Sequence, residues 1–112
     1  PEQLSIHAQR GALFESFIIA EYVKNRFNQG LPANLYFWRN NTGEEIDLLV
    51  EHGTELQAIE IKSGQTFNPD FIGSLRKWMS YADVPLRSPS VIYGGMESFQ
   101  FQGINVVSWS GL

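Results

Sequence analysis

Glu44-Glu45-Ile46-Asp47-Leu48-Leu49-Val50-Glu51-His52-Gly53-Thr54-Glu55-Leu56-Gln57-Ala58-Ile59-Glu60-Ile61-Lys62 reads as two β-strands around one tight turn. Residues 44–51 and 56–62 are each rich in β-branched and apolar side chains, and His52-Gly53 offers the backbone freedom a hairpin needs. Side chains on a strand alternate between faces. Alternation puts Ile46, Leu48 and Val50 on one face of the first strand, and Glu45, Asp47 and Leu49 on the other. In the second strand Gln57, Ile59 and Ile61 share one face, and Leu56, Ala58, Glu60 and Lys62 the other. A hairpin of this kind is expected to bring Asp47 beside Glu60 and Lys62, although the register itself stays open.

Outward from the hairpin the remaining elements follow. Upstream, Leu35-Tyr36-Phe37-Trp38-Arg39 is an aromatic strand, and Asn40, Asn41, Thr42 and Gly43 form a turn into the hairpin. Before it, residues 5–28 have a helical pattern, ended by Gly30 and Pro32. Downstream, Asn68-Pro69 supplies an N-cap and a first-turn proline for a helix reaching about Ala82. Residues 83–90 hold two prolines and read as a loop; residues 90–93 and 104–108 read as strands. The resulting order is α-β-β-β-α-β-β, with an antiparallel meander and a helical crossover that makes the fourth strand parallel to the third.

Glu15 is out of place for an ordinary surface carboxylate. At helical spacing it falls on an apolar arc with Ile18, Ile19 and Tyr22. An unpaired carboxylate there is costly, so it should be protonated or face a cation. Gly11, one turn earlier on the same face, suggests close approach to another backbone. Any one of these acids has an ordinary explanation as a solvated surface group. Their ordered conjunction, a helix Glu, then a strand Asp, then Glu-apolar-Lys on the next strand, points to a shared acidic site.

Bulk properties narrow the classes. The 112 residues suit one domain, spanning 1–112, and 43% apolar residues suffice for a core. The absence of cysteine excludes disulfides and thiolate-held zinc and agrees with a cytoplasmic setting. No apolar run is long enough to cross a bilayer. A net charge of −4 counts against binding nucleic acid through phosphates, unless bound cations reverse the local sign. The opening Pro1 leads us to expect a segment of a longer protein.

Taken in order, Gly11-Ala12-Leu13-Phe14-Glu15, Tyr36-Phe37-Trp38-Arg39, Gly43-Glu44-Glu45-Ile46-Asp47-Leu48 and Ile59-Glu60-Ile61-Lys62-Ser63 resemble the PD-(D/E)XK nuclease superfamily. They most resemble the uncharacterised domain that follows an AAA-type ATPase module in many bacterial and archaeal proteins. The resemblance implies a restriction-endonuclease-like three-layer α/β/α fold with a mixed central sheet. It further implies that Asp47 and Glu60, with the Ile61 carbonyl, bind Mg²⁺ or Mn²⁺. Glu15 would ligate directly or through water, and Lys62 would position or activate the attacking water. Ile46-Asp47 stands where the superfamily motif opens with Pro-Asp. The implied activity is metal-dependent phosphodiester hydrolysis on DNA, in partnership with an ATPase domain of the parent chain.

Other residues carry weaker signals. Trp38 and Arg39 either contact nucleic acid or, more simply, complete the core and pair with a nearby Glu. Arg39 and Gln65 are candidate substrate contacts, and Thr66 lies close to the same motif. Arg76, Lys77 and Trp78 read first as a solvated basic helix face. His7 and His52 lack ligand spacing and are given no metal role, and the chain has no Gly-rich phosphate loop. Two other functions compete: a non-catalytic nucleic-acid-binding or protein-interaction module, and a dimerisation domain with Trp38, Trp78 and Trp109 at the interface.

Overall fold

The computed structural model describes residues 2–31, 34–42 and 44–112, with the side chains of residues 2–8 left aside. Pro1, Pro32, Gly43 and the His7 ring, all named above, lie outside that description. Two α-helices, α1 (Glu2–Asn28) and α2 (Gly73–Tyr81), flank strands β1 (Leu35–Arg39), β2 (Glu45–His52), β3 (Glu55–Lys62), β4 (Ser90–Tyr93), β5 (Phe99–Phe101) and β6 (Ile104–Ser108). The strands form one mixed sheet in the order β1-β2-β3-β4-β6-β5.

The meander β1-β2-β3 is antiparallel, and β4 joins β3 in parallel, as the sequence indicated. β6 lies parallel to β4. β5 is an addition to the expected order: a three-residue edge strand paired antiparallel with β6. Its turn, Gln102-Gly103, has positive φ at both positions (50° and 83°). That backbone suits Asn-Gly or Asp-Gly, so a glutamine there hides the turn from a sequence search.

The apolar residues sort the sheet into two packed layers. On one face α2 contributes Leu75 and Trp78, which meet Ile46, Leu49, Ala58, Val91 and Ile104. On the other face α1 contributes Ile18, which meets Leu48, Val50, Ile59, Ile61 and Ile92. The β3 alternation is as expected. The β2 alternation is not: Ile46 joins Leu49 on the α2 face rather than Leu48 and Val50 on the α1 face. The cause is a bulge. Trp38 pairs with Ile46 and Tyr36 with Leu49, so Phe37 alone faces both Asp47 and Leu48.

Two glycine-dependent details also differ from expectation. The β2–β3 turn falls at Gly53-Thr54, since His52 still pairs with Glu55 and Gly53 takes the left-handed φ of 63°. Gly11 is not a point of tight approach, because an added Cβ would sit 3.9 Å from Ser63 Oγ, an ordinary contact. The tight approach is at Gly94, after β4, where an added Cβ would lie 2.3 Å from the Ser63 carbonyl oxygen. Before α2, the Asn68 side chain accepts from the Asp70 amide at 2.9 Å and caps a 3-10 turn, Pro69–Ile72. α2 proper is therefore shorter than the expected helix. Among the described residues, no helix is long and apolar enough to cross a membrane.

Candidate functional site

The β2–β3 ladder runs from His52↔Glu55 as far as Leu48↔Ile59. Beyond that pair the two strands part at the bulge, and side chains take over the main-chain hydrogen bonds. The Ile61 amide donates to Asp47 Oδ2 at 2.8 Å, and the Asp47 amide donates to Glu60 Oε1 at 3.3 Å. Each carboxylate thus occupies an N–H that the ladder would otherwise have used. The two bonds hold both side chains in the gap between the strands, which fixes their orientation in advance. In an extended strand a residue's N–H and C=O project to the same edge, so the Ile61 carbonyl is also turned toward Asp47.

Three elements set the surroundings of this pair. Glu60 leaves β3 on the α2 side, with Ala58 and Lys62, and is only 4% exposed. Lys62 is half-exposed, with Nζ 3.8 Å from Glu60 Oε2 and 5.8 Å from the centre of the Phe71 ring. Asp47, re-aimed by the bulge, lines a cleft of about 310 Å³ together with Glu15, Phe37, Trp38, Arg39, Glu45 and Ile46. α1 supplies Glu15 from its own side of the sheet. The acids therefore do not share one sheet face, as strict alternation implied. They meet because the opened ladder leaves a gap into which both Asp47 and Glu60 turn.

The electrostatics reflect crowding. Burial is the main cause of a raised pKa at Glu60, pushed up to about 7, with Asp47 adding to the shift and Lys62 opposing it. Asp47 is also raised by burial, against the lowering effect of the Ile61 amide and Lys62. Glu15 is raised, first by burial and then by Asp47 and Glu45, with Lys62 again opposing. Three acids with raised pKa values beside one lysine make a site short of positive charge.

The donor set fits a hard divalent cation of the Mg²⁺ kind. Mg²⁺ takes one or two carboxylates and keeps several waters rather than demanding a full protein cage. Asp47, Glu60 and the Ile61 carbonyl offer that minimal oxygen set. Among the described residues no three His, Asp or Glu side chains are gathered closely enough to hold one ion by themselves. Glu15 lines the same cleft as Asp47 but does not close a three-carboxylate cage with the pair.

The remaining candidates sort out clearly. Arg39 is committed to Glu45, donating from Nη2 at 2.8 Å and from Nε at 3.2 Å, while still forming part of the cleft wall. Gln65 is exposed on the loop after β3, its carbonyl close to Gly95. Thr66 is exposed on the same loop. Trp38 packs against the α2-side core and lies 6.0 Å from the Tyr81 ring. Arg76 and Lys77 are exposed, as a solvated basic face requires, with Arg76 Nη2 donating to the Gln102 carbonyl at 3.0 Å and Lys77 paired with Glu44, whereas Trp78 turns into the core. Of the three tryptophans assigned to a dimer interface only Trp109 is exposed, against Phe17. His52 bonds Gln57 at 2.9 Å. Phe37 was missed in the sequence: it is 72% exposed although it lines the cleft, and only the bulge reveals its position.

No curated protein and no solved structure matches this chain. A family match covers residues 10–112, nearly all the elements just described and every residue of the acidic cleft. The chain belongs to the family described as Domain of unknown function (DUF4143).

Proposed function

We propose that this domain is a metal-dependent phosphodiesterase of the PD-(D/E)XK kind, with a restriction-endonuclease-like arrangement of its layers, acting on DNA. The observation that carries the reading is the reciprocal pair of bonds by which Asp47 and Glu60 replace the β2–β3 ladder, with Lys62 beside them. Side chains that cost a sheet two ladder bonds, and are crowded with a third acid, serve the fold poorly. They serve a cation well.

In this reading Asp47, Glu60 and the Ile61 carbonyl would hold Mg²⁺ or Mn²⁺, and Glu15, on the wall of the same cleft as Asp47, would orient water. A divalent ion there supplies positive charge to a phosphate and acidifies nearby water. The chain's own residues do the positioning. The Ile61 amide keeps the Asp47 carboxylate from rotating away, and the Asp47 amide does the same for Glu60. Lys62, held by Glu60 and the Phe71 ring, places a cation where the attacking oxygen gains negative charge. The protein partner is an ATPase module in the parent chain, which would also supply the basic surface that a domain of net charge −4 lacks.

The acidic balance favours one other reading, a non-catalytic binding or interaction module attached to the same ATPase. Cleavage assays separate the two. The parent chain, with and without ATP, is incubated with Mg²⁺ or Mn²⁺ and with several DNA forms. Asp47→Ala should abolish cleavage, and Lys62→Ala should lower turnover ~10²-fold or more while leaving metal binding intact. Cleavage undiminished in both variants would place the chemistry elsewhere. No cleavage of any substrate would leave the binding module as the better account.

A further inference from the structure

The cleft has one wall that the acidic site does not use. Phe37 sits on β1, an edge strand of the sheet, beside the bulge that exposes Asp47. Its ring is 72% exposed and lines the same cleft as Glu15 and Asp47. A large aromatic in that position contributes little to the stability of the fold, since it buries little on folding. Its neighbours do not share its exposure for the same reason. Trp38 points into the α2-side core, and the Tyr36 hydroxyl donates to Glu51 at 3.0 Å. Phe37 has no polar group to satisfy and no core to complete. Next to it Arg39, tied to Glu45, gives the wall a cation held in place.

An aromatic face beside an acidic, oxygen-lined floor matches one ligand chemistry, an unstacked nucleobase whose own phosphate lies over the acids. Base-on-aromatic stacking is strong and tolerant of sequence, because every base has a π-face. An intact duplex keeps its bases covered by their neighbours, so it has no free face for Phe37, and extruding one costs a few kcal/mol. The volume, about 310 Å³, is at the lower end of small-molecule sites, which suits one residue of a strand more than a larger group.

We propose that Phe37 forms a base-stacking subsite, with Arg39 beside it, that selects single-stranded or unpaired DNA and seats one nucleotide against Asp47, the member of the acidic pair that lines the cleft. This rests on the phosphodiesterase reading for its substrate class. It adds a positioning residue and a preference for unpaired strands that the acids alone do not confer.

The test measures binding separately from cleavage. In the Lys62→Ala background of the parent chain, with Mg²⁺ present, fluorescence anisotropy follows a labelled oligothymidylate and a hairpin duplex of matched length. Adding Phe37→Ala should weaken single-strand binding about tenfold and leave the duplex unchanged. Phe37→Tyr, which keeps the ring, should retain the affinity. Phe37→Trp should report stacking directly, as quenching of an added emission when the oligonucleotide binds. Because Phe37 is exposed, these substitutions leave the core intact, and far-UV circular dichroism checks that.

Equal single-strand affinity with and without the ring would overturn the subsite, as would wild-type protein that does not bind the single strand at all. Failure of the underlying reading looks different. There Phe37 variants still lose single-strand binding, but no DNA is cleaved by the parent chain with any metal. That outcome keeps the stacking subsite and discards the hydrolysis.

Discussion

The two ends of the β2–β3 hairpin are made of similar residues and behave differently. At the closed end, from His52↔Glu55 to Leu48↔Ile59, backbone pairs with backbone and side chains alternate as a strand requires. At the open end the strands separate, and Asp47 and Glu60 take the amides that the ladder gives up. Where the main chain satisfies itself, side chains are free to pack. Where side chains must satisfy the main chain, they are fixed in place and left crowded with charge. The acidic site is a property of the second end only.

The contrast is sharpest in its pH dependence. Glu60 titrates in the folded chain at about 7, against an ordinary value of 4.5. The folded state therefore holds a proton that the unfolded chain has lost, and stability falls as pH rises. The contribution is fully present below about 4.5 and is lost as pH passes 7, with an upper magnitude of about 3 kcal/mol. Urea unfolding of the metal-free chain across this range should show the decline. Glu60→Gln, which cannot ionise, should flatten most of it, whereas a curve unchanged by Glu60→Gln would place the titrating group elsewhere.

Glycines give a second way to separate the ends. Gly94 packs against the loop leaving the open end, and its own amide donates to the Gly64 carbonyl at 2.9 Å. Gly94→Ala would place a methyl 2.3 Å from the Ser63 carbonyl oxygen, which backbone must move to relieve. We expect a loss of about 2 kcal/mol, accompanied by weaker metal binding because the chain just after Lys62 is displaced. Gly53 at the closed end has open space around it but a φ of 63°. Gly53→Ala should cost about 1 kcal/mol from backbone strain alone and leave metal affinity unchanged. If both variants reduce metal affinity alike, the two ends are coupled and the contrast fails.

Much of this layout was legible in the sequence. The meander, the parallel crossover and the capped helix start at Asn68 follow from local rules of turn chemistry and alternation. Glu15, Asp47, Glu60 and Lys62 stood out as candidates because a helix Glu on an apolar arc and Glu-x-Lys on a strand are unusual in that order, but the expected convergence of all three acids on one ion is not seen among the described residues. The bulge was not legible, since Asp47-Leu48 alternates normally in sequence and only its pairing with Phe37 breaks the parity. That single feature misassigned Ile46, predicted a shared face for the acids, and concealed Phe37. β5 was hidden by its length and by Gln102, which adopts a backbone more typical of Asn. The commitments of Arg39, Lys77 and Arg76 to partners also depend on tertiary register and have no local signature.

The central claim is that the open end of the hairpin holds a divalent cation. Isothermal titration calorimetry with Mg²⁺ or Mn²⁺, run near pH 7 in buffers of different ionisation enthalpy, tests it most directly. The account predicts one ion per chain and a heat that varies with buffer, because binding displaces the proton from Glu60. Affinity should rise as pH increases through about 7 and vanish in Asp47→Ala. Binding that persists in Asp47→Ala, or that ignores both pH and buffer, would contradict it.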